Sequence, residues 1–316
     1  MPQGSPIVCV AGPTASGKTK LGVLLAQHYG GEIVSADSMQ IYRGMVIGTA
    51  APTPEEMEGI PHHMIGIADP REPWSAGRYA RAAIPVVEDI LSRGKLPIVV
   101  GGTGLWMEAL VRGRTFAPGQ AGGAVREALE RELREGGMEL LLAELRRVDP
   151  ASAEKLHPSD EKRILRALEV YRETGETISE HDRKSRETPN RYDALYIGLS
   201  FRERQDLRDR IDRRVDVMVE QGLLDEVQAL LSSGLPRDAT ALQAIGFKQF
   251  LAVADGTAAV ADAVEEVKLR SRQYAKRQLT WLRRNPDIHW ILWEKEPDFP
   301  QALQNATEFL TAAGVC

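Results

Sequence analysis

The first third of the chain alternates short apolar runs with longer stretches of helical periodicity. Strands are predicted at residues 7–11, 33–36 and 97–100, and helices at residues 18–29, at about 75–93 and from 105 onward. The second helix is expected to break near Pro85, because an interior proline loses a backbone hydrogen bond. Strands that are apolar throughout and spaced by helices predict an α/β fold, with a parallel sheet covered by helices on both faces.

The pattern changes near residue 115. A turn-rich linker is predicted at residues 116–123, charged and leucine-rich helices at 125–147 and 162–174, a polar, basic and mobile loop at 182–192, and a further strand at 195–201. These features predict a helical insertion over residues 115–192, within a core formed by residues 1–114 and 193–316.

Two more helices are predicted in the C-terminal part of the core. In the first, a stripe that is expected to be buried comprises Leu207, Ile211, Val215 and Met218. Arg214 projects within that stripe, and Arg210 lies at its edge. An arginine among apolar side chains is costly unless it meets an anion. Arg214 is therefore a candidate anion contact with Arg210 as its substitute; a buried salt bridge or an outward-reaching side chain is the alternative.

The second of these helices has two different sides. Its apolar or small face is expected to pack and comprises Val260, Val264, Val267, Ser271, Ala275, Gln278 and Leu282. The other side offers positive charge and carries Arg270, Arg272, Lys276, Arg277, Arg283 and Arg284.

Composition places the chain among soluble globular proteins. Of its 316 residues, 43% are hydrophobic and 27% charged, and no run approaches the ~20 apolar residues that cross a bilayer. No secretory signal is visible, and Cys9 and Cys316 are too few for a disulfide framework. A cytoplasmic protein with no membrane partner is expected. The net charge of −5 does not suggest nucleic acid, but residues 268–284 contain seven Lys or Arg and no acidic residue.

A phosphate-binding loop joins the first predicted strand to the first predicted helix. It matches G-x-x-x-x-G-K-[ST] and comprises Gly12, Pro13, Thr14, Ala15, Ser16, Gly17, Lys18 and Thr19. Glycines let the backbone wrap around phosphate oxygens, and free N–H groups at the helix start point toward the anion. Lys18 adds a mobile positive charge, and the Thr19 hydroxyl can ligate Mg²⁺. The loop predicts a polyphosphate ligand without specifying which one.

Polar residues also follow the next two strands, at the sheet edge where ligands bind. Asp37 ends the second strand, and Thr103 follows Gly101 and Gly102 after the third. From position alone, Asp37 can be a metal ligand, a general base or an N-cap. The glycine pair permits close approach of the backbone to a ligand, with a capped turn as the alternative. A strand that ends in Gly-Gly-Thr lacks the acidic motif of motors and GTPases, which weakens a nucleotide-hydrolase interpretation.

Two adjacent histidines, His62 and His63, lie in a segment predicted to be extended. Neighbouring side chains on such a segment point to opposite faces, which is poor geometry for binding one metal ion. Ordinary loop or packing roles are favoured for both.

Several motifs together resemble the bacterial tRNA dimethylallyltransferase family. They are GPTASGKT at residues 12–19, SADSMQIY at 35–42, GMVIGT at 44–49, the proline and histidines at 61–63, VGGT at 100–103, RILRALEV at 163–170, GFKQ at 246–249 and RQYAKRQLTWLR at 272–283. The resemblance covers most of the chain. It implies a P-loop core with a helical insertion.

The resemblance also implies an activity. A dimethylallyl group would move from dimethylallyl diphosphate to N6 of the adenosine on the 3′ side of the anticodon in tRNA, releasing diphosphate, with Mg²⁺ as cofactor. Asp37 would be the general base, Thr103 would meet the reacting groups, and Lys18 would stabilise the leaving diphosphate. The partner would be the anticodon stem-loop. No protein partner can be inferred, and a monomer is compatible with the sequence.

Residues matching the family's tRNA-contacting segments are Asp37, Ser38, Met39, Gln40, Thr103, Lys162, Arg163, Ile164, Leu165, Arg166, Gln243, Ala244, Ile245, Gly246, Phe247 and Lys248. Arg126 matches a further contact by its place in a Val-Arg pair, although Gly122-Gly123-Ala124 replaces the usual acidic, proline-containing lead-in. The basic side of the second C-terminal helix adds Arg272, Lys276 and Arg277 as phosphate contacts.

Three other functions stay open at this point. The first is a P-loop kinase in which Asp37 activates a small hydroxyl acceptor. The second is a prenyltransferase acting on a free adenine nucleotide, and the third is a non-catalytic RNA adaptor. The charged insertion and the basic helix favour a large RNA acceptor over a small molecule.

Overall fold

The computed structural model describes residues 6–113, 123–187 and 189–315. The chain divides into two compact units, a core of Met1–Gly113 with Asn190–Cys316 and an insertion of Arg114–Pro189. The predicted insertion spanned 115–192. Apart from its last residue, the predicted linker at 116–123 lies outside the described residues.

A six-stranded sheet forms the centre of the core unit. Its strands are β1 Pro6–Ala11, β2 Glu32–Ser35, β3 His62–His63, β4 Pro97–Gly101, β5 Asp193–Phe201 and β6 Ile288–Trp293. They lie in the order β3-β2-β4-β1-β5-β6, and all pairs are parallel. The predicted α/β class with a parallel sheet is thus confirmed, whereas β6 was missed.

Register decides which residues meet at the carboxyl edge of the sheet. Ala11 of β1 pairs with Gly101 of β4 on one side and with Gly198 of β5 on the other. Ser35 of β2 pairs with Val100. The segments that follow β1, β2 and β4 therefore leave the sheet side by side, where ligands of open α/β sheets bind.

Helices cover the sheet in the core unit, and helices also form the insertion. In chain order the first core helices are α1 Lys18–Tyr29, α2 Pro54–Met57, α3 Ala76–Ser92 and α4 Gly104–Arg112. The insertion contains α5 Ala124–Val148, α6 Pro150–Ala153, α7 Glu161–Thr174 and α8 Ile178–Glu187. The core continues with α9 Arg204–Glu220, α10 Leu223–Ser232, a 3₁₀ turn at Thr240–Gln243, α11 Phe247–Ala254, α12 Val260–Leu282 and α13 Phe299–Ala312.

Alternation along β1 buries its two faces against different helices. Val8 and Val10 join the apolar cluster that includes Leu21 of α1 and Ala306 of α13. Cys9 points to the other face, where it lies near enough to Tyr79 of α3 to add to the rise in the pKa of Tyr79 that burial causes. Helices on both faces explain why β1 reads as an uninterrupted apolar run.

The predicted break at Pro85 is wrong, because α3 runs through it. Pro85 lies on the exposed side of α3. The carbonyl of residue 81, which loses its helical partner there, also belongs to an exposed residue and can be hydrated instead.

The insertion has its own apolar centre, formed by α5 and α7. Leu129, Leu141 and Leu145 of α5 pack with Ile164 and Leu168 of α7. Gly137, with a φ of +75°, interrupts α5 between the two halves of this stripe.

The predicted mobile loop at 182–192 is also wrong over its first part, because α8 covers residues up to Glu187. Thr177 and Glu180 form reciprocal bonds, Glu180 N–H to Thr177 Oγ1 at 3.2 Å and Thr177 N–H to Glu180 Oε2 at 3.2 Å. This is a capping box, and the sequence Thr-Ile-Ser-Glu was its overlooked signal.

No helix in the described ranges is long and apolar enough to cross a membrane.

Candidate functional site

The phosphate loop turns sharply between β1 and α1. A Cβ on Gly12 would lie 2.5 Å from the Leu199 carbonyl oxygen, so only glycine fits beside β5. Gly17, the N-cap of α1, has a φ of +87°, and Ala15 has a φ of +62°. These left-handed residues turn the backbone sharply just before α1, where the motif places its phosphate-binding N–H groups.

Ser16 anchors this loop to the sheet. The Trp293 indole Nε1 donates to the Ser16 carbonyl oxygen at 2.8 Å, which ties the loop to β6. The Ser16 hydroxyl is buried and has no hydrogen-bond partner among the described residues. An unpartnered buried hydroxyl inside a phosphate loop is suited to an incoming anion.

Lys18 lies at the centre of the loop's charge. Its Nζ donates to the Pro13 carbonyl oxygen at 2.6 Å. Burial above all, together with the nearby charge of Arg214, lowers the pKa of Lys18 to about 7, and the charge of Asp37 opposes this shift. A lysine that is only partly protonated near neutral pH will gain its proton when an anion binds beside it.

Arg214 and Arg210 reach the same loop from α9. Burial lowers the pKa of the Arg214 guanidinium, with Asp37 and Glu56 acting in the opposite direction. Its Nη2 donates to the Ala50 carbonyl oxygen at 3.5 Å, while its buried Nε has no partner among the described residues. Among the described residues, no carboxylate forms an ion pair with Arg214. The alternative of a buried salt bridge is therefore not observed there.

Arg210 is held differently. Its Nε donates to the Ala15 carbonyl oxygen at 3.3 Å, and its Nη1 lies 3.0 Å from a carboxylate oxygen of Glu296. Because Arg210 already has an acidic partner, Arg214 is the stronger candidate for a bound anion.

Asp37 caps the turn that follows β2. Its Oδ1 accepts the Met39 N–H at 2.9 Å and the Gln40 N–H at 3.3 Å. Its Oδ2 accepts no hydrogen bond from any described residue. The capping alternative is therefore correct for one oxygen, and the other oxygen is free to accept a proton.

Thr103 lies beside this turn. Its Oγ1 accepts the Ser38 N–H at 3.1 Å and donates to the Ser38 hydroxyl at 3.3 Å. Tyr274 of α12 lies near enough to Thr103 for the two side chains to interact, and burial and the charge of Asp37 raise the pKa of Tyr274 to about 12. Asp37, Thr103 and Tyr274 thus form one polar group next to the phosphate loop.

Two site residues escaped sequence reasoning. Glu226 of α10 accepts three consecutive backbone N–H groups, those of Val46, Ile47 and Gly48, at 2.6–2.8 Å. This fixes the loop whose Ala50 carbonyl receives Arg214, and nothing local in the sequence pairs residue 226 with residues 46–48. Gln278 was assigned only to a packing face, yet its Oε1 accepts the Thr14 N–H at 2.9 Å.

Oxygen ligands suited to Mg²⁺ adjoin the loop. Thr19, Ser35 and Gln40 line a cavity of about 20 Å³, and hydroxyl and amide oxygens are the hard donors that Mg²⁺ prefers. In the described ranges no three His, Cys, Asp or Glu side chains are grouped so as to hold a metal ion.

The histidines lie away from this chemistry. His63 Nε2 lies 2.8 Å from Glu32 Oε2, in a cluster where Arg93 above all, and also Lys95, holds the pKa of Glu32 well below its usual range. His62 Nδ1 lies 2.8 Å from the Ile60 carbonyl oxygen.

The segment of residues 243–248 begins at the 3₁₀ turn and enters α11. Gln243 and Lys248 are exposed, Ile245 is half-buried, and Ala244, Gly246 and Phe247 are buried. Phe247 packs where Gly48 leaves room, since a Cβ on Gly48 would lie 2.3 Å from its ring. Only the exposed members of this segment have side chains that can reach an external partner.

In the insertion, Lys162 and Arg163 are exposed, whereas Ile164 and Leu165 are fully buried among α5 and α7. The last two therefore stabilise the insertion instead of offering side chains to RNA. Arg126 pairs with Glu130 at 2.9 Å, and Arg166 pairs with Glu169 at 2.8 Å.

The basic helix α12 divides into paired and free cations. Arg272 lies 2.6 Å from both carboxylate oxygens of Asp212, Lys268 lies 2.7 Å from Asp216, and Arg270 lies 2.6 Å from Glu266. Asp212 thus neutralises the charge of Arg272, which makes Arg272 a weaker candidate for a phosphate contact than the sequence suggested. On α12 and just after it, the exposed cations that have no carboxylate partner among the described residues are Lys276, Arg277, Arg283 and Arg284. Val260, assigned to the buried face, is 42% exposed.

Comparisons with known proteins identify the family. The IPP transferase family model matches residues 40–285, and an isopentenyl transferase model matches residues 6–66. The tRNA dimethylallyltransferase of Acetivibrio thermocellus is 41% identical and covers 98% of both chains. That of Geobacillus thermodenitrificans is 47% identical over 90% of both.

Solved structures lead to the same family. The tRNA isopentenylpyrophosphate transferase of Bacillus halodurans has a TM-score of 0.73 at 40% identity, with 98% of this chain and 96% of that chain covered. A eukaryotic dimethylallyltransferase acting on tRNA has a TM-score of 0.82 at 32% identity, with 98% of this chain and 78% of that chain covered. A phosphate loop facing Asp37 and Thr103, and likeness over nearly the whole chain, establish that this protein belongs to the tRNA dimethylallyltransferase family, the IPP transferases.

Proposed function

We propose that this protein transfers the dimethylallyl group of dimethylallyl diphosphate to N6 of the adenosine on the 3′ side of the tRNA anticodon. Diphosphate is the other product. The observation that carries the proposal is the position of Asp37 and Thr103 beside Lys18 and Arg214 at one edge of the sheet, in a chain of this family. Every residue involved comes from one chain, so a monomer suffices.

The diphosphate of the donor binds in the phosphate loop. Backbone N–H groups at the start of α1, the Ser16 hydroxyl and Lys18 provide the donors. The unpartnered Nε of Arg214 adds a charge-assisted contact from α9. These donors are in position before reaction, so they stabilise the negative charge that develops as the allylic C–O bond breaks.

The acceptor is a weak nucleophile, because the N6 lone pair is delocalised into the adenine ring. The free Oδ2 of Asp37 accepts the N6 proton as the C–N bond forms, while Oδ1 keeps the carboxylate oriented through the Met39 and Gln40 N–H groups. A positioned base of this kind contributes roughly 10²–10⁴ in rate. Thr103 holds the turn that carries Asp37 through the Ser38 N–H, and Tyr274 lies next to Thr103.

Mg²⁺ is the proposed cofactor, and the Thr19 hydroxyl would hold it. When bound, it would supply additional charge stabilisation for the departing diphosphate.

The anticodon stem-loop is the proposed partner. A stacked adenine cannot reach Asp37 at a strand end, so it must be flipped out of its stack. Lys276 and Arg277 of α12 and Lys248 of α11 are exposed and suited to contacting phosphates of the RNA. The exposed Lys162 and Arg163 of the insertion are suited to the same kind of contact.

A transfer assay tests the proposal against its rivals. The protein is incubated with labelled dimethylallyl diphosphate and unmodified tRNA, with the same donor and AMP, and with labelled ATP and a small alcohol. We expect label only in tRNA. Label on AMP would select a free-nucleotide prenyltransferase, phosphate transfer would select a kinase, and RNA binding without any transfer would select an adaptor.

A further inference from the structure

Helix α12 packs against the turn that follows β4. Three residues of one helix face, spaced four and then three apart, contact three consecutive residues of that turn. Tyr274 lies near Thr103, Gln278 donates a hydrogen bond to Gly102, and the Trp281 ring covers Gly104. The spacing is that of neighbours along a helical stripe.

Gln278 is the polar centre of this contact and is buried. Its Nε2 donates to the Gly102 carbonyl oxygen at 2.9 Å, and its Oε1 accepts the Thr14 N–H at 2.9 Å. A side-chain amide can donate and accept at once, which neither a carboxylate nor an apolar side chain can do. One side chain therefore joins the phosphate loop to the turn that carries Thr103.

The glycines of the turn are explained by the same contact. A Cβ on Gly102 would lie 2.2 Å from Gln278 Nε2, and one on Gly104 would lie 2.1 Å from the Trp281 ring. On Gly101 it would lie 2.3 Å from the Ala36 carbonyl oxygen. The sequence expectation was that glycine admits a ligand here, but these positions admit α12 and the neighbouring turn.

The outer side of the same helical turn is basic. Lys276 and Arg277 immediately precede Gln278, are exposed and have no carboxylate partner among the described residues. The Arg277 guanidinium also lies 5.6 Å from the ring centroid of Tyr274. An anionic RNA bound to these cations would therefore touch a helix that is joined by one hydrogen bond to the phosphate loop and by another to the turn after β4.

From this geometry we infer that Gln278 is a positioning residue that couples RNA binding on α12 to diphosphate binding in the phosphate loop. The inference rests on the proposed function for the identity of the two ligands. RNA that fixes α12 also fixes Thr14 and Gly102 through Gln278, so the loop is ordered before the second ligand arrives. Each ligand should then tighten the binding of the other by the same factor, as linkage requires.

The test measures this factor directly. The Kd of inorganic diphosphate with Mg²⁺ is determined by calorimetry on the full chain, with and without saturating unmodified tRNA. We expect at least about fivefold tighter binding with tRNA, within the usual range of coupling between sites. In Gln278→Met and Gln278→Glu the factor should fall toward one, while the tRNA Kd measured without diphosphate stays near that of the wild type.

Gln301→Glu is the matched control, because it makes the same amide-to-carboxylate change on the exposed side of α13. It should keep the full factor. A wild-type factor near one would overturn the inference, and so would an undiminished factor in a Gln278 variant with a normal melting curve. A merely structural role for Gln278 would lower the melting temperature without changing the factor.

Hydrogen exchange on the wild type avoids the risk that the variants do not fold. tRNA alone, without diphosphate, should slow amide exchange in residues 12–19. Unchanged exchange there would contradict the inference. Prenyl transfer without coupling would refute only the role of Gln278, whereas coupling without prenyl transfer would refute only the proposed reaction.

Discussion

The depressed pKa of Lys18 predicts a specific pH dependence for donor binding. In the free protein, burial and the charge of Arg214 lower this pKa to about 7. A bound diphosphate favours the protonated ammonium, so binding raises the pKa toward its ordinary value and takes up a proton. The affinity for the donor should therefore be highest well below pH 7 and should fall tenfold per pH unit well above pH 7.

The size of the effect follows from the titration. Between about pH 6.5 and about pH 8.5, the protonated fraction of a group with a pKa near 7 falls from about 0.76 to about 0.03, which predicts about 25-fold weaker binding. Calorimetry with inorganic diphosphate in buffers of different ionisation enthalpy measures both the affinity and the proton uptake.

The matched control is Lys18→Arg, which keeps the positive charge but cannot lose it in this range. The ligand's own titration contributes equally to both proteins, so only the difference between their profiles reports on Lys18. Parallel profiles for wild type and Lys18→Arg would refute the reasoning.

Three further predictions concern the reaction and the RNA. Asp37→Asn keeps an oxygen to cap the turn but removes the base, so single-turnover transfer should fall by roughly 10²–10⁴ with tRNA affinity near normal; a rate near that of the wild type would exclude the role. Arg214→Gln should lower kcat/KM for the donor by about 10- to 150-fold, the effect expected from losing one charge-assisted hydrogen bond, without changing the tRNA Kd. Unchanged donor kinetics in the folded variant would count against a diphosphate contact by Arg214. Binding of tRNA should weaken steeply as the salt concentration rises. Lys276→Ser combined with Arg277→Ser should reduce the slope of log affinity against log salt concentration by about 0.7–0.9 per residue. Arg202→Ser should leave that slope unchanged, because Glu294 already neutralises the charge of Arg202. A slope near zero in the wild type would remove nucleic acid from the account.

Local signals explain which parts of the structure were predictable. Apolar runs gave β1, β2, β4 and β5, because strands buried on both faces need no pattern beyond hydrophobicity. The phosphate loop was predictable because its glycines, lysine and threonine act at fixed offsets within eight residues.

What the sequence did not reveal depends on contacts between distant residues. Glu226 binds backbone N–H groups about 180 positions away in sequence, and Gln278 joins Thr14 to Gly102 from the far end of the chain. The pairing of Arg272 with Asp212 likewise requires α9 and α12 to be neighbours. By contrast, α8 was missed although Thr177 and Glu180 provided a local capping signal.

The central claim is that the phosphate loop holds the leaving diphosphate of an isoprenoid donor while a tRNA amine displaces it. Its most direct test is mass spectrometry of the nucleosides from unmodified tRNA incubated with this protein, dimethylallyl diphosphate and Mg²⁺, with released diphosphate counted in the same reaction. The account predicts one N6-dimethylallyl adenosine beside the anticodon for each diphosphate released. Unmodified tRNA, or diphosphate released without prenylated adenosine, would contradict it.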